Sequence, residues 1–66
     1  MNELTERQKE IMKGIENGKT NSQIALELGI STQTVKNTLT TIYRKMNVPN
    51  RTSALMSILR GNFFGT

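Results

Sequence analysis

With 66 residues, and nine Lys and Arg against five acids, the chain makes one small basic domain, and a domain of this size has a thin core. It has no Cys and no His. This excludes disulfides and the commonest metal sites and leaves helix packing or self-association to stabilise it. No apolar run approaches the roughly 20 residues that span a bilayer, and no signal-peptide core precedes the first element, so a cytoplasmic protein without membrane contact is expected.

The first helix is expected over about 5–17. Thr5 with Gln8 three residues on forms a capping-box pattern, and Glu6 and Glu10 suit the helix dipole. Leu4, Ile11, Met12 and Ile15 supply its apolar side, and Asn17-Gly18 ends it, with Gly18 suited to a left-handed cap. Thr20 and Gln23 repeat the capping pattern for a second helix, 21–28, which buries Ile24, Ala25 and Leu28. Gly29 stops that helix after barely two turns. Ile30 turns inward and Ser31 caps the next one. A short helix, a tight glycine turn and a longer helix form a helix-turn-helix layout over 20–46.

The third helix is expected over 32–46. Asn50 then caps a fourth, 51–60, because Pro49 cannot continue a helix and restricts its predecessor. The chain has no repeats and no low-complexity segment. The prediction is therefore an all-α, four-helix single domain spanning 1–66.

The third helix carries Thr32, Thr34, Thr38, Thr40 and Thr41, although each Thr costs up to ~0.7 kcal/mol of helix propensity against Ala. On a wheel with Val35 at zero, Leu39, Ile42 and Met46 fall within about 40° of it and make a narrow buried seam. Gln33, Asn37, Thr40 and Arg44 lie within about 40° of the opposite pole, flanked by Lys36 and Thr41. Tyr43 stands at the edge of the seam. An ordinary solvated face would carry Glu–Lys pairs; this one has no acid. Amide, hydroxyl and guanidinium groups are those that bond base edges and phosphates. Short side chains also let the backbone approach a groove floor.

Charge is divided along the chain. Residues 1–27 hold Arg7, Lys9, Lys13 and Lys19 against five Glu, a net of −1. Residues 28–66 hold Lys36, Arg44, Lys45, Arg51 and Arg60 with no acid, a net of +5. A one-sided positive field suits a polyanion.

Residues 4–55 resemble the LuxR-type (GerE-type) helix-turn-helix DNA-binding domain of bacterial transcription regulators. The resemblance rests on LTERQKEI (4–11), NGKTNSQIALEL (17–28), GISTQTVKNTL (29–39), IYRKMNV (42–48) and RTSAL (51–55). It implies a third helix in the major groove, with base contacts from Lys36, Asn37 and Thr40, the face the wheel also selects together with Gln33. It implies phosphate contacts from Thr20, Asn21, Ser31, Thr34, Arg44 and Lys45, and pairing of two domains through the fourth helix. Two positions depart from the family: Thr38 stands where many members have His, and Asn47 where many have Gly. Most relatives carry this domain behind another, so either a stand-alone GerE-like regulator or an excised domain is expected.

The fourth helix has an apolar arc wider than one small core needs, running from Ala54 through Ile58, Leu55 and Leu59 to Met56. A dimer interface of Leu55, Met56, Leu59 and Phe63 is expected; a tail folded back so that Phe63 and Phe64 cover the arc is the alternative.

With no His, Cys or Asp and no glycine-rich phosphate loop, the usual acid–base and nucleophilic groups are missing. An enzyme is not expected, nor a cofactor or metal. The expected function is sequence-specific binding of double-stranded DNA by a transcription regulator, as a homodimer on an inverted repeat, with RNA polymerase a further candidate partner. The rival is a protein-docking module or a sigma-like fragment that modulates polymerase or another regulator. Such a docking face should carry exposed Leu, Phe or Met, and the outer face of the third helix has none.

Overall fold

Thr5 opens α1 (Glu6–Glu16) with a closed capping box. Its Oγ1 accepts from the Gln8 N–H at 3.2 Å, and its own N–H donates to Gln8 Oε1 at 2.9 Å. This computed structural model describes residues 4–61. Thr20 opens α2 (Asn21–Leu28) in the same way, at 3.1 and 2.8 Å. Ser31 opens α3 (Thr32–Met46), accepting from the Thr34 N–H at 3.0 Å. Asn50 opens α4 (Arg51–Leu59), accepting from the Ser53 N–H at 2.9 Å. Each cap satisfies a backbone donor that the helix itself cannot. Thr5, Asn17 and Arg60, expected inside helices, are the capping residues that flank them.

The connections are as tight as the sequence suggests. Gly29 adopts φ 69°, a left-handed conformation that costs glycine little, and the Ile30 N–H closes onto the Ala25 carbonyl at 3.0 Å. This reversal sets the angle between α2 and α3. Asn47 also sits left-handed, at φ 59°, and the Val48 N–H bonds the Tyr43 carbonyl at 2.9 Å. Asn is the residue best suited after Gly to that conformation, so α3 keeps its stop signal.

One core joins the four helices. Leu4, Ile11, Met12 and Ile15 of the first segment meet Ile24 and Ala25 of α2, Val35, Leu39 and Ile42 of α3, and Ala54 of α4. Leu28, Ile30, Tyr43, Met46, Val48, Leu55 and Ile58 pack around this centre. No polar residue is buried among the described residues, so hydrophobic burial dominates the core. Helix α3 packs against each of the other three. That leaves only its opposite side to solvent.

Gly14, in the middle of α1, is buried for a steric reason. A Cβ there would lie 2.6 Å from Ile24 Cγ1 and 2.9 Å from its Cδ1. The absence of a side chain lets α2 lie directly on α1. Gly14→Ala should therefore destabilise the domain. Overpacking costs about 1–3 kcal/mol, and better helix propensity returns at most about 1 kcal/mol. A urea melt followed by helical circular dichroism tests this; an unchanged or raised midpoint would show that Ile24 gives way.

Candidate nucleic-acid interface

The outer side of α3 assembles the residues selected from sequence. Gln33, Lys36, Asn37, Thr40 and Arg44 are all exposed, while Val35, Leu39 and Ile42 on the reverse side are buried. The seam holds the helix to the core, and the 3.6-residue period delivers the polar groups to the other side. Thr41 and Thr38 are half-buried on one flank. The Gln33 amide donates to Asn37 Oδ1 at 3.0 Å, linking two adjacent turns.

Two helix N-termini carry other residues selected from sequence. At α2, Thr20 caps the Gln23 N–H, and the N–H groups of Asn21 and Ser22 have no partner within the helix. Asn21 Oδ1 is enclosed without a hydrogen-bond partner among the described residues. A phosphate contact from this side chain would thus come from its Nδ2, since phosphate oxygens only accept. At α3, the Ser31 and Thr34 hydroxyls are 2.8 Å apart and bonded to each other. Free N–H groups and the positive end of the helix dipole make such termini suited to anions.

Ion pairing sharpens the charge division. The three ion pairs among the described residues all lie in the first two helices and the turn between them: Arg7–Glu10 at 3.7 Å, Lys9–Glu6 at 3.5 Å and Lys19–Glu27 at 2.7 Å. Among the described residues Lys36 and Arg44 meet no acid. Lys45 is placed differently from Arg44: it is half-buried, and its Nζ donates to Gln8 Oε1 of α1 at 3.0 Å. It sits at the flank of the face rather than on it.

Arg51 is a residue that sequence reasoning gave no role. Its Nη2 donates to the Lys19 carbonyl at 2.7 Å, tying the start of α4 to the α1–α2 turn. No local pattern links positions 19 and 51, so only the packed structure brings them together. Burial raises the Tyr43 phenol above its ordinary value, and Arg51 partly opposes that shift. Tyr43 therefore stays protonated at neutral pH.

On α4, Leu55 is half-buried against the core, whereas Met56 and Leu59 are 45% and 79% exposed. The part of the expected pairing surface open to a partner is thus Met56 and Leu59. Phe63 lies outside the described residues. A second exposed apolar side chain, Leu26 on α2, is 84% exposed. No helix is long and apolar enough to cross a membrane among the described residues.

A short helix, a left-handed glycine turn and a longer helix with an acid-free polar face, braced by a helix on either side, define a helix-turn-helix domain. The chain belongs to the luxR family of bacterial regulatory proteins, whose GerE model matches residues 2–58.

Among curated proteins it is similar to the uncharacterized transcriptional regulatory protein YhcZ of Bacillus subtilis. The two are 38% identical over 96% of this chain and 29% of the relative. It is 41% identical to the transcriptional regulatory protein DesR of the same organism, over 82% of this chain and 27% of that one. It is 44% identical to the CsgBAC operon transcriptional regulatory protein of Escherichia coli, over 79% and 24%. The chain thus spans about a quarter of the length of these relatives. No solved structure matches it significantly.

Proposed function

We propose that this chain is the DNA-binding part of a transcription regulator, reading double-stranded DNA with α3 in the major groove. One observation carries the reading: the solvent side of α3 gathers Gln33, Lys36, Asn37, Thr40 and Arg44 and contains no acid. A B-DNA major groove admits an α-helix, and helix α3, with 15 residues, is about 22 Å long. In this reading Lys36, Asn37, Thr40 and Gln33 meet base edges. Arg44 and Lys45 anchor phosphates at the far end of α3, and Thr20, Asn21, Ser31 and Thr34 do so at the helix starts. Two copies pair through Met56 and Leu59, with Leu55 behind them, on an inverted repeat.

Selection of binding sites from random DNA tests this. An inverted repeat should emerge, and sedimentation should show two copies bound. Thr40→Ala should relax preference at one base position, by less than the about 1–3 kcal/mol of a good bidentate pair. Arg44→Ala should weaken all DNA about equally. If both variants lower affinity without altering preference, the division between reading and anchoring residues is wrong.

The docking alternative draws on a single feature, the exposed Leu26. Leu26 lies on α2 rather than on the outer face of α3, so it is compatible with a polymerase contact made while α3 holds DNA.

A further inference from the structure

Hydrogen bonds on the outer face of α3 separate its donors from its acceptors. Gln33 Nε2 donates to Asn37 Oδ1 at 3.0 Å. Thr40 Oγ1 donates to the Lys36 carbonyl at 3.2 Å, and Thr41 Oγ1 to the Asn37 carbonyl at 3.4 Å. Both threonine hydroxyl hydrogens are therefore engaged within the helix, and the Asn37 oxygen is engaged by the preceding turn. Both hydrogens of Asn37 Nδ2, the second hydrogen of Gln33 Nε2 and the three of the exposed Lys36 ammonium remain. These three side chains lie within about 100° of arc. Gln33 Oε1, the threonine oxygens and one lone pair of Asn37 Oδ1 can still accept, while Lys36 Nζ and Asn37 Nδ2 together offer five donor hydrogens.

Base edges in the major groove differ in what they ask of such a face. Guanine presents two acceptors, O6 and N7, and no donor; adenine presents one acceptor and one donor. An asparagine that reads adenine uses its amide oxygen to accept from N6, and here Gln33 already occupies one of the two lone pairs of that oxygen and fixes its direction. Guanine needs only donors, which Lys36 and Asn37 supply side by side.

We propose that Gln33, Asn37 and Lys36 act as one reading unit that selects guanine over adenine in each half-site. This rests on the DNA-binding reading above and deepens it. Gln33 is then a positioning residue: it turns the Asn37 amide so that its nitrogen faces the base. Removing Gln33 frees both lone pairs of Oδ1 and the rotation of the amide, which makes the donor–acceptor pair that adenine matches easier to present.

The test uses the full chain and three measurements. Sites are selected from random DNA with the wild type and with Gln33→Ala. The guanine in the wild-type site is then replaced by a deaza analogue lacking N7, which keeps Watson–Crick pairing. Finally, guanine and adenine versions of that position are compared for both proteins. The wild-type half-site should contain a fixed guanine. The analogue should weaken binding on the order of tenfold, and Gln33→Ala should move the guanine-to-adenine ratio toward adenine by a similar factor. A specific half-site without guanine, indifference to the analogue, or an unchanged ratio in Gln33→Ala would each overturn the proposal while leaving DNA reading intact. If no sequence is selected at all, the DNA-reading function itself fails, and this proposal with it.

Discussion

Ile42→Ala should lower the unfolding free energy by about 2–5 kcal/mol. Ile42 is fully enclosed at the middle of the α3 seam, and α3 packs on all three other helices. Truncation there leaves a cavity that the surroundings fill only in part. At roughly 0.05–0.15 kcal/mol per residue, a 66-residue chain has only about 3–10 kcal/mol in total. The substitution therefore removes a large part of the stability. Urea melts should show a much lower midpoint for Ile42→Ala, and Ile42→Val should lose only about 0.5–1.5 kcal/mol. Equal midpoints for wild type and Ile42→Ala would mean that the seam is not the structural core. DNA binding should fall with folding and recover in cold buffer, because the outer face is untouched.

DNA affinity should also collapse with salt. Arg44 stands on the outer face and Lys45 on its flank, so each copy brings two phosphate-anchoring cations, with Lys36 committed to a base edge. Neutralising a phosphate releases counterions, giving a slope of about −0.9 in log K against log salt per contact. Two copies therefore give a slope near −3.6, or about a hundredfold loss between roughly 50 and 200 mM salt. Arg44→Ala should make the slope shallower by about 1 per copy. Titration of labelled duplex at four salt concentrations checks both numbers. A flat dependence would favour the docking alternative, in which the chain meets protein rather than DNA.

The caps were legible because they are local. Thr5 with Gln8, Thr20 with Gln23, Ser31 and Asn50 satisfy backbone groups three residues away, so spacing alone locates them. The α3 seam was legible for the same kind of reason: Val35, Leu39 and Ile42 repeat at the helical period. Gly14 was not. A mid-helix glycine reads as a weakness from propensity, and only the position of Ile24 shows why a side chain is forbidden there. The α4 arc was legible as too wide, but not which end of it was covered. Leu55 falls against the core and Met56 and Leu59 do not, a division set by how α4 is docked rather than by its periodicity.

The interface shows the same boundary. Residue type and helical period were enough to place Gln33, Lys36, Asn37, Thr40 and Arg44 on one acid-free side of α3, since both act within a few turns. The tertiary structure decided the rest. It drew Lys45 toward Gln8, 37 positions away, and tied Arg51 to the Lys19 carbonyl across 32. Such contacts depend on how helices pack and which rotamers the packing allows, and no pattern of nearby residues encodes them. The helices and their polar face were thus properties of the sequence alone. Which of those polar groups are left to meet a ligand is a property of the fold.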